Sequence, residues 1–169
     1  AYQIRDAIHG FISLSEEEIK VVNTRRFQRL RLIRQLAMAS LVYPGATHTR
    51  FEHSPGVLHI AGRIVDQLIK LKAIKGFDAA PIRLAALLHD LGHGPFSHIS
   101  EYLLAQNYDQ NGIPPINTEE IHEEITKKSI LNSPELEAVL GAVRRDEIIS
   151  VFTGQDIRKD VISGPLDAD

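Results

Sequence analysis

The stretch LLHDLGHGPFSH, Leu87 to His98, holds three of the chain's eight histidines. His89 is followed directly by Asp90, and Gly92, Gly94 and Pro95 then interrupt the apolar run that leads up to them. An imidazole beside a carboxylate suits a borderline or hard divalent ion: Mn, Fe, Co, Ni, Zn or Mg. Neighbours on a helix point about 100° apart, so both side chains reach one point only near a helix end. The glycines let that end stay open. His53, in TRFEHS, could supply a third donor from the start of another helix, and GPLDAD offers Asp167 and Asp169 after a Gly-Pro turn. A hydrophobic core has little use for three polar rings beside helix breakers, so metal chemistry outweighs packing for this stretch. His9, in a turn, and His59, among apolar neighbours, read instead as ordinary hydrogen-bonded histidines. The chain has no cysteine, so a metal site must be built from His, Asp or Glu.

The elements that must position these groups are mostly helical. AYQIRDAIHGFISLS reads as a small hairpin turning at His9-Gly10. Ser15 with Glu18 forms a capping box for a short helix to about Val22. Thr24 caps a second helix, RRFQRLRLIRQLAMASLV, in which Phe27, Leu30, Ile33 and Leu36 follow a helical period. Its arginines (Arg25, Arg26, Arg29, Arg31 and Arg34) read as a solvated face. YPGATHTR is a loop. GVLHIAGRIVDQLIKLKAI is a strongly amphipathic helix closed by Gly76. DAAPIRLAALLHD is capped at Asp78, and its LAALL run is apolar nearly all round, which predicts a central buried helix. ISEYLLAQ is a short helix, NYDQNGIPPINTE a polar loop, and TEEIHEEITKKSIL a helix capped at Thr118. SPELEAVLGAVRRDEIISVF supplies one or two more. The fold class is all-α with a minor β hairpin, in one domain over residues 1–169.

Composition narrows the function. The chain has 169 residues, 43% hydrophobic and 24% charged, with a net charge of −3. These are ordinary values for a globular domain with a real core, and they give no global electrostatic case for nucleic-acid binding. No apolar run approaches the ~18 residues of a membrane span. The lack of cysteine fits a reducing compartment, and a cytoplasmic location is expected. The start at Ala1 rather than Met and the ending PLDAD fit a fragment, with truncation expected at the C-terminus.

HDLGHGPFSH together with YPGATHTRFEHS resembles the HD-domain phosphohydrolases, and within them the deoxynucleoside triphosphate triphosphohydrolases. Supporting pieces are IHGFISLS, FQRLRLIRQL and SGPLDAD, so the likeness runs from about Ile8 to Asp169. It implies a helical HD bundle with a divalent metal held by His53, His89, Asp90 and Asp169. It implies hydrolysis of a dNTP at the α-phosphorus, with His93, His98, Glu101 and His122 in the catalytic positions. Glu101 stands where a relative has the shorter Asp. By the same likeness Arg50 faces phosphate, Gln35 contacts the sugar and His48 lines the pocket. Gln28 and Arg31 match positions of a regulatory nucleotide site at an oligomer interface, which makes a homo-oligomer the expected state. Near them, Asn23 replaces an Asp that reads guanine and Arg5 replaces an Asn. Two other readings stay open. One is an HD hydrolase acting on a monophosphate, a cyclic nucleotide or an alarmone. The other is a non-catalytic regulator that binds nucleotides or single-stranded nucleic acid through the arginine run.

Overall fold

Asp6 closes a two-stranded hairpin by accepting hydrogen bonds from the amides of Ile8 (2.9 Å) and His9 (2.7 Å). The strands, β1 (Tyr2–Asp6) and β2 (Gly10–Leu14), pair antiparallel with Tyr2 opposite Leu14 and Asp6 opposite Gly10. Gly10 takes the left-handed conformation that the turn demands (φ 74°). Ile12 and Leu14 alternate inward to the core. This computed structural model describes residues 2–72, 79–96, 100–101, 118–154, 157–164 and 168–169. The expected helix end at Gly76, the cap at Asp78, His98, most of ISEYLLAQ, residues 107–117 of the polar loop and Asp167 lie outside the described residues.

Helix α1 (Glu16–Val22) starts on the expected capping box: Ser15 Oγ accepts from Glu18 N, and the Glu18 carboxylate accepts from Ser15 N at 2.8 Å. Glu18 is buried, and its charge is met by Arg83 at 2.7 Å. Arg83 also donates to the Ser13 carbonyl (3.2 Å), so one guanidinium ties the hairpin and α1 to the central helix.

The second expected helix is much shorter than its period predicts. Thr24 caps it, accepting from Phe27 N, but α2 spans only Arg25–Gln28, and a 3-10 turn follows at Arg29–Leu32. Ile33 is extended (φ −114°, ψ 114°), and its carbonyl accepts from Arg50 N at 2.8 Å. Gln35 N in turn donates to His48 O, and Arg34 bridges Thr49 antiparallel. Pairing with residues 48–50 therefore overrides local helix propensity. Phe27, Leu30 and Ile33 are nonetheless buried as the pattern requires, and Phe27 meets Phe51 edge-on at 5.4 Å.

Helix α3 (Arg50–Lys70) begins before the expected Gly56, because Glu52 reaches back to Thr49 N at 2.6 Å and fixes the start there. Pro55 lies inside it, buried, and forgoes only one backbone bond. Helix α4 (Ala79–Leu88) is the predicted central element: Leu84 to Leu88 are all at 0% exposure. It tightens into a 3-10 turn at His89–Gly92. Among the described residues three more helices follow: α5 (Thr118–Asn132), α6 (Pro134–Thr153) and α7 (Ile157–Ser163). Ser133 caps α6, and Gly141 (φ 68°, ψ 172°) is non-helical within it, so the one-or-two-helix expectation resolves as two helical segments joined at a kink. α4 packs against α3, α6 and α7, while α5 packs on the 3-10 turn that follows α4. No helix of the described residues is long and apolar enough to cross a membrane.

Candidate metal centre and catalytic cluster

Where α4 tightens, the His89 ring turns back on its own helix. Its Nδ1 lies 2.7 Å from the Ala86 carbonyl. A carbonyl only accepts, so Nδ1 carries the proton, and Nε2 is the nitrogen whose lone pair points outward whenever the ring is neutral. His53, on the first turn of α3, brings its Nε2 to 3.8 Å from Asp90 Oδ2 and 2.7 Å from Asp169 Oδ1. His89 Nε2 is 3.4 Å from Asp90 Oδ1 and 3.6 Å from Asp169 Oδ1. The two rings stand edge to face at 5.3 Å. Ala168 N donates to Val161 O (3.0 Å), which pins the Ala168-Asp169 pair to α7.

Two atoms here test the fit of a divalent cation. His89 Nε2 and Asp90 Oδ2 are buried and make no hydrogen bond among the described residues. An unsatisfied buried polar atom costs about 1–3 kcal/mol, and a cation between them would remove that cost. His53, His89 and Asp90 each offer a donor atom, all within 4.8 Å of one another. Imidazole nitrogens with carboxylate oxygens suit a first-row divalent ion. The residues therefore fit the group.

The electrostatics agree. Burial works against the Asp90 carboxylate, but the charge of His89, the hydrogen bond from His93 and the charge of Arg50 outweigh it and hold its pKa well below the usual range. The neighbouring His53 ring, and then that of His89, do the same for Asp169. Burial disfavours the His89 cation, yet Asp90 and Asp169 overcome this and raise its pKa above the ordinary value. Both carboxylates thus stay ionised at neutral pH.

Asp90 also joins this centre to a second cluster. His93 Nε2 lies 3.3 Å from Asp90 Oδ1, and His93 Nδ1 lies 2.6 Å from Glu101 Oε1. Glu101 Oε2 is 3.6 Å from His122 Nδ1, and the His93 and His122 rings stack at 4.1 Å and 15°. His93 and Glu101 are both about 2% exposed. The sequence-predicted His93, Glu101 and His122 therefore meet in one place, and they form a second group whose donors could hold an ion.

Gly92 makes this meeting feasible. A Cβ there would run into the His122 carbonyl and the backbone and hydroxyl of Thr126. Instead Gly92 N donates to Thr126 Oγ1 (2.8 Å), and that hydroxyl donates to the His89 carbonyl (3.0 Å). Close approach of α5, which carries His122, is what this glycine provides. Thr126 is a supporting residue that sequence reasoning missed, since a threonine within a charged helix gives no local signal.

The other predicted residues gather through the short β bridge. Pairing of 33–35 with 48–50 sets Gln35, His48 and Arg50 side by side. Arg50 is buried, with Nη1 2.6 Å from Asp90 Oδ1. A cavity of about 560 Å³, walled by Arg5, Asp6, His48 and Glu52 among others, opens onto His53 and Asp169. Gln28 and Arg31 also adjoin: Arg31 Nε donates to Gln28 Oε1 at 2.7 Å, and its guanidinium lies 3.6 Å over the Phe51 ring. His9 and His59, read as structural, face each other at 5.1 Å, and His9 also lines this cavity. Arg29 departs from the expected solvated face: it is partly buried and donates to the carbonyls of Leu91 (2.7 Å) and His93 (2.9 Å). The arginine spacing carried no sign of this, because the partners come from another part of the chain.

Comparison with known proteins agrees with this architecture. Residues 50–151 match the HD domain model. An uncharacterized protein of Methanocaldococcus jannaschii, MJ1154, is 37% identical over 98% of this chain and 31% of its own length. The mouse deoxynucleoside triphosphate triphosphohydrolase SAMHD1 is 37% identical over 95% of this chain and 24% of its own. The crystal structure of a phosphohydrolase from Bacteroides thetaiotaomicron superposes with a TM-score of 0.81 at 32% identity, covering 99% of this chain and 39% of that one. The chain thus spans about a third or less of the curated relatives it matches. With the HD model covering more than half of its residues, over α3, the His89-Asp90 turn and α6, the chain belongs to the HD-domain family.

Proposed function

We propose that the protein is a metal-dependent phosphohydrolase that cleaves dNTPs to deoxynucleoside and inorganic triphosphate. The observation that carries this reading is Asp90, whose carboxylate lies in the His53–His89–Asp169 cluster and also contacts His93. One carboxylate thereby joins a set of cation donors to a buried His–Glu–His group suited to proton handling. The likeness to the SAMHD1 enzymes supports the dNTP as substrate.

His53, His89, Asp90 and Asp169 would hold the divalent ion, which when bound polarises a phosphoryl oxygen and acidifies water. Phosphoryl transfer then depends mostly on positioning and charge stabilisation. Water attacks the α-phosphorus, the bond from phosphorus to the 5′ oxygen breaks, and that oxygen leaves with a proton. His93, held by Glu101 beside His122, orients the nucleophile; His98 is the donor to the 5′ oxygen. Arg50 stabilises phosphate charge, Gln35 contacts the sugar, and His48 lines the pocket. Gln28 and Arg31 form a regulatory nucleotide site in a homo-oligomer.

Incubation of the full chain with each dNTP and NTP in Mn or Mg, with products resolved by chromatography, tests this. Triphosphate and deoxynucleoside are expected, and His89→Ala and Asp90→Ala should lose turnover and bound metal together. Pyrophosphate or orthophosphate as first product would move the protein to another class of nucleotide hydrolase. Intact nucleotides under all conditions would leave a binding protein.

A further inference from the structure

Arg29 lies between the two residues offered as a regulatory site, yet it points elsewhere. One of its terminal nitrogens, Nη2, donates both to Leu91 O (2.7 Å) and to His93 O (2.9 Å). These carbonyls bracket Gly92, and the second belongs to the residue whose ring spans from Asp90 to Glu101. The loop's backbone is fixed by Gly92 N on Thr126 and His93 N on Asp90 O (3.2 Å), and His93 then leaves the turn in an extended conformation (φ −65°, ψ 139°). Rotation about those dihedrals would swing the imidazole off Asp90 or off Glu101. A guanidinium is always charged, is planar, and directs its donors in fixed directions, so it can pin two carbonyls on either side of a glycine.

We infer that Arg29 is a positioning residue for His93: it anchors the loop's outgoing backbone to the 3-10 turn that follows α2 and so sets the ring between Asp90 and Glu101. It touches no reacting group. The inference rests on the proposed hydrolase reading for its kinetic consequence, but not for its structural one.

The test uses Arg29→Gln and Arg29→Lys in the full chain. The first readout is the set of ring ¹⁵N signals of the histidines in isotope-labelled protein without nucleotide. Arg29→Gln should move the His93 signals and leave those of His53 in place. The second readout is steady-state kinetics on the nucleotide that the parent protein hydrolyses best. A misplaced group near the chemistry costs up to about 100-fold, so kcat should fall about 10- to 100-fold with KM within about two-fold. Arg29→Lys keeps the charge and one contact, and should recover part of the kcat. Unchanged His93 signals would overturn the inference, as would a kcat loss that only tracks the folded fraction and is equal in both variants. If the parent protein hydrolyses no nucleotide, the hydrolase reading fails and the ¹⁵N signals still decide the role of Arg29.

Discussion

Arg50 and Asp90 form an ion pair at 2.6 Å with both side chains 4% exposed. One opens α3 and the other follows α4, so this contact locks the ends of the two main helices together. It occupies Asp90 Oδ1 and leaves Oδ2 facing His53. A buried pair loses most when one partner is removed, because the other charge stays behind in a poor solvent for it. Breaking such a pair costs about 3–5 kcal/mol. Arg50→Ala should therefore lower unfolding free energy by that order in the chelated protein, read by urea denaturation. Arg50→Lys should fall between the two. A loss below about 1 kcal/mol would mean that Asp90 finds compensation elsewhere, and the pair is not a lock.

Gly92→Ala sets a small gain in helix-type propensity, about 1 kcal/mol at most, against a clash with the backbone of His122 and Thr126. The backbone cannot yield cheaply, so α5 must move outward and take His122 from its stack on His93. Overpacking of this kind costs about 1–3 kcal/mol. The expected outcome is a lower Tm together with a drop in kcat larger than the loss of folded protein explains. Full turnover in a folded Gly92→Ala protein would show that the His93–His122 stack is dispensable.

The pH response of the hairpin follows from His59. Burial and then the neighbouring His9, Arg63 and Arg83 push its pKa below the ordinary value, with Asp6 pulling weakly the other way. For Asp6 itself burial opposes ionisation, but the amides of His9 and Ile8 prevail and keep its pKa below the usual range, so it stays charged through this window. A base whose folded pKa is depressed binds its proton more readily when unfolded. Stability is thus complete above the unfolded value of about 6.5 and declines as pH falls through it. Thermal melts from pH 7.5 to 5.5 should show Tm falling with acidity, and His59→Gln should flatten that part of the curve. An NMR titration of His59 with a midpoint above 6.5 would reverse the sign and refute it.

Much of this arrangement is legible in the residues themselves. The capping box at Ser15, the buried LAALL run and the hairpin turn at His9-Gly10 each depend on near neighbours, and each has its expected form. The motif residues around the HD turn also cluster, since HDLGHG places His89, Asp90 and His93 within one turn of chain. The errors lie where distant segments decide. The period of Phe27, Leu30 and Ile33 is a true record of burial but a poor guide to helix length, because residues 33–35 take their hydrogen bonds from 48–50. Arg29 looks like any surface arginine until Leu91 and His93 come near it. In the sequence Gly92 reads as a helix breaker, whereas its position against α5 makes the missing side chain matter most.

His53 and Asp169 meet across 116 positions of chain, and His89 reaches the same point from between them. No fragment that lacks any of these segments can assemble the donor set. A cation captured there would bind only the finished topology, and its free energy would be withheld from every partly folded form. The centre would then act as an inspector of its own assembly: chains that complete the fold gain protection from proteolysis, and those that stall before α7 docks gain none.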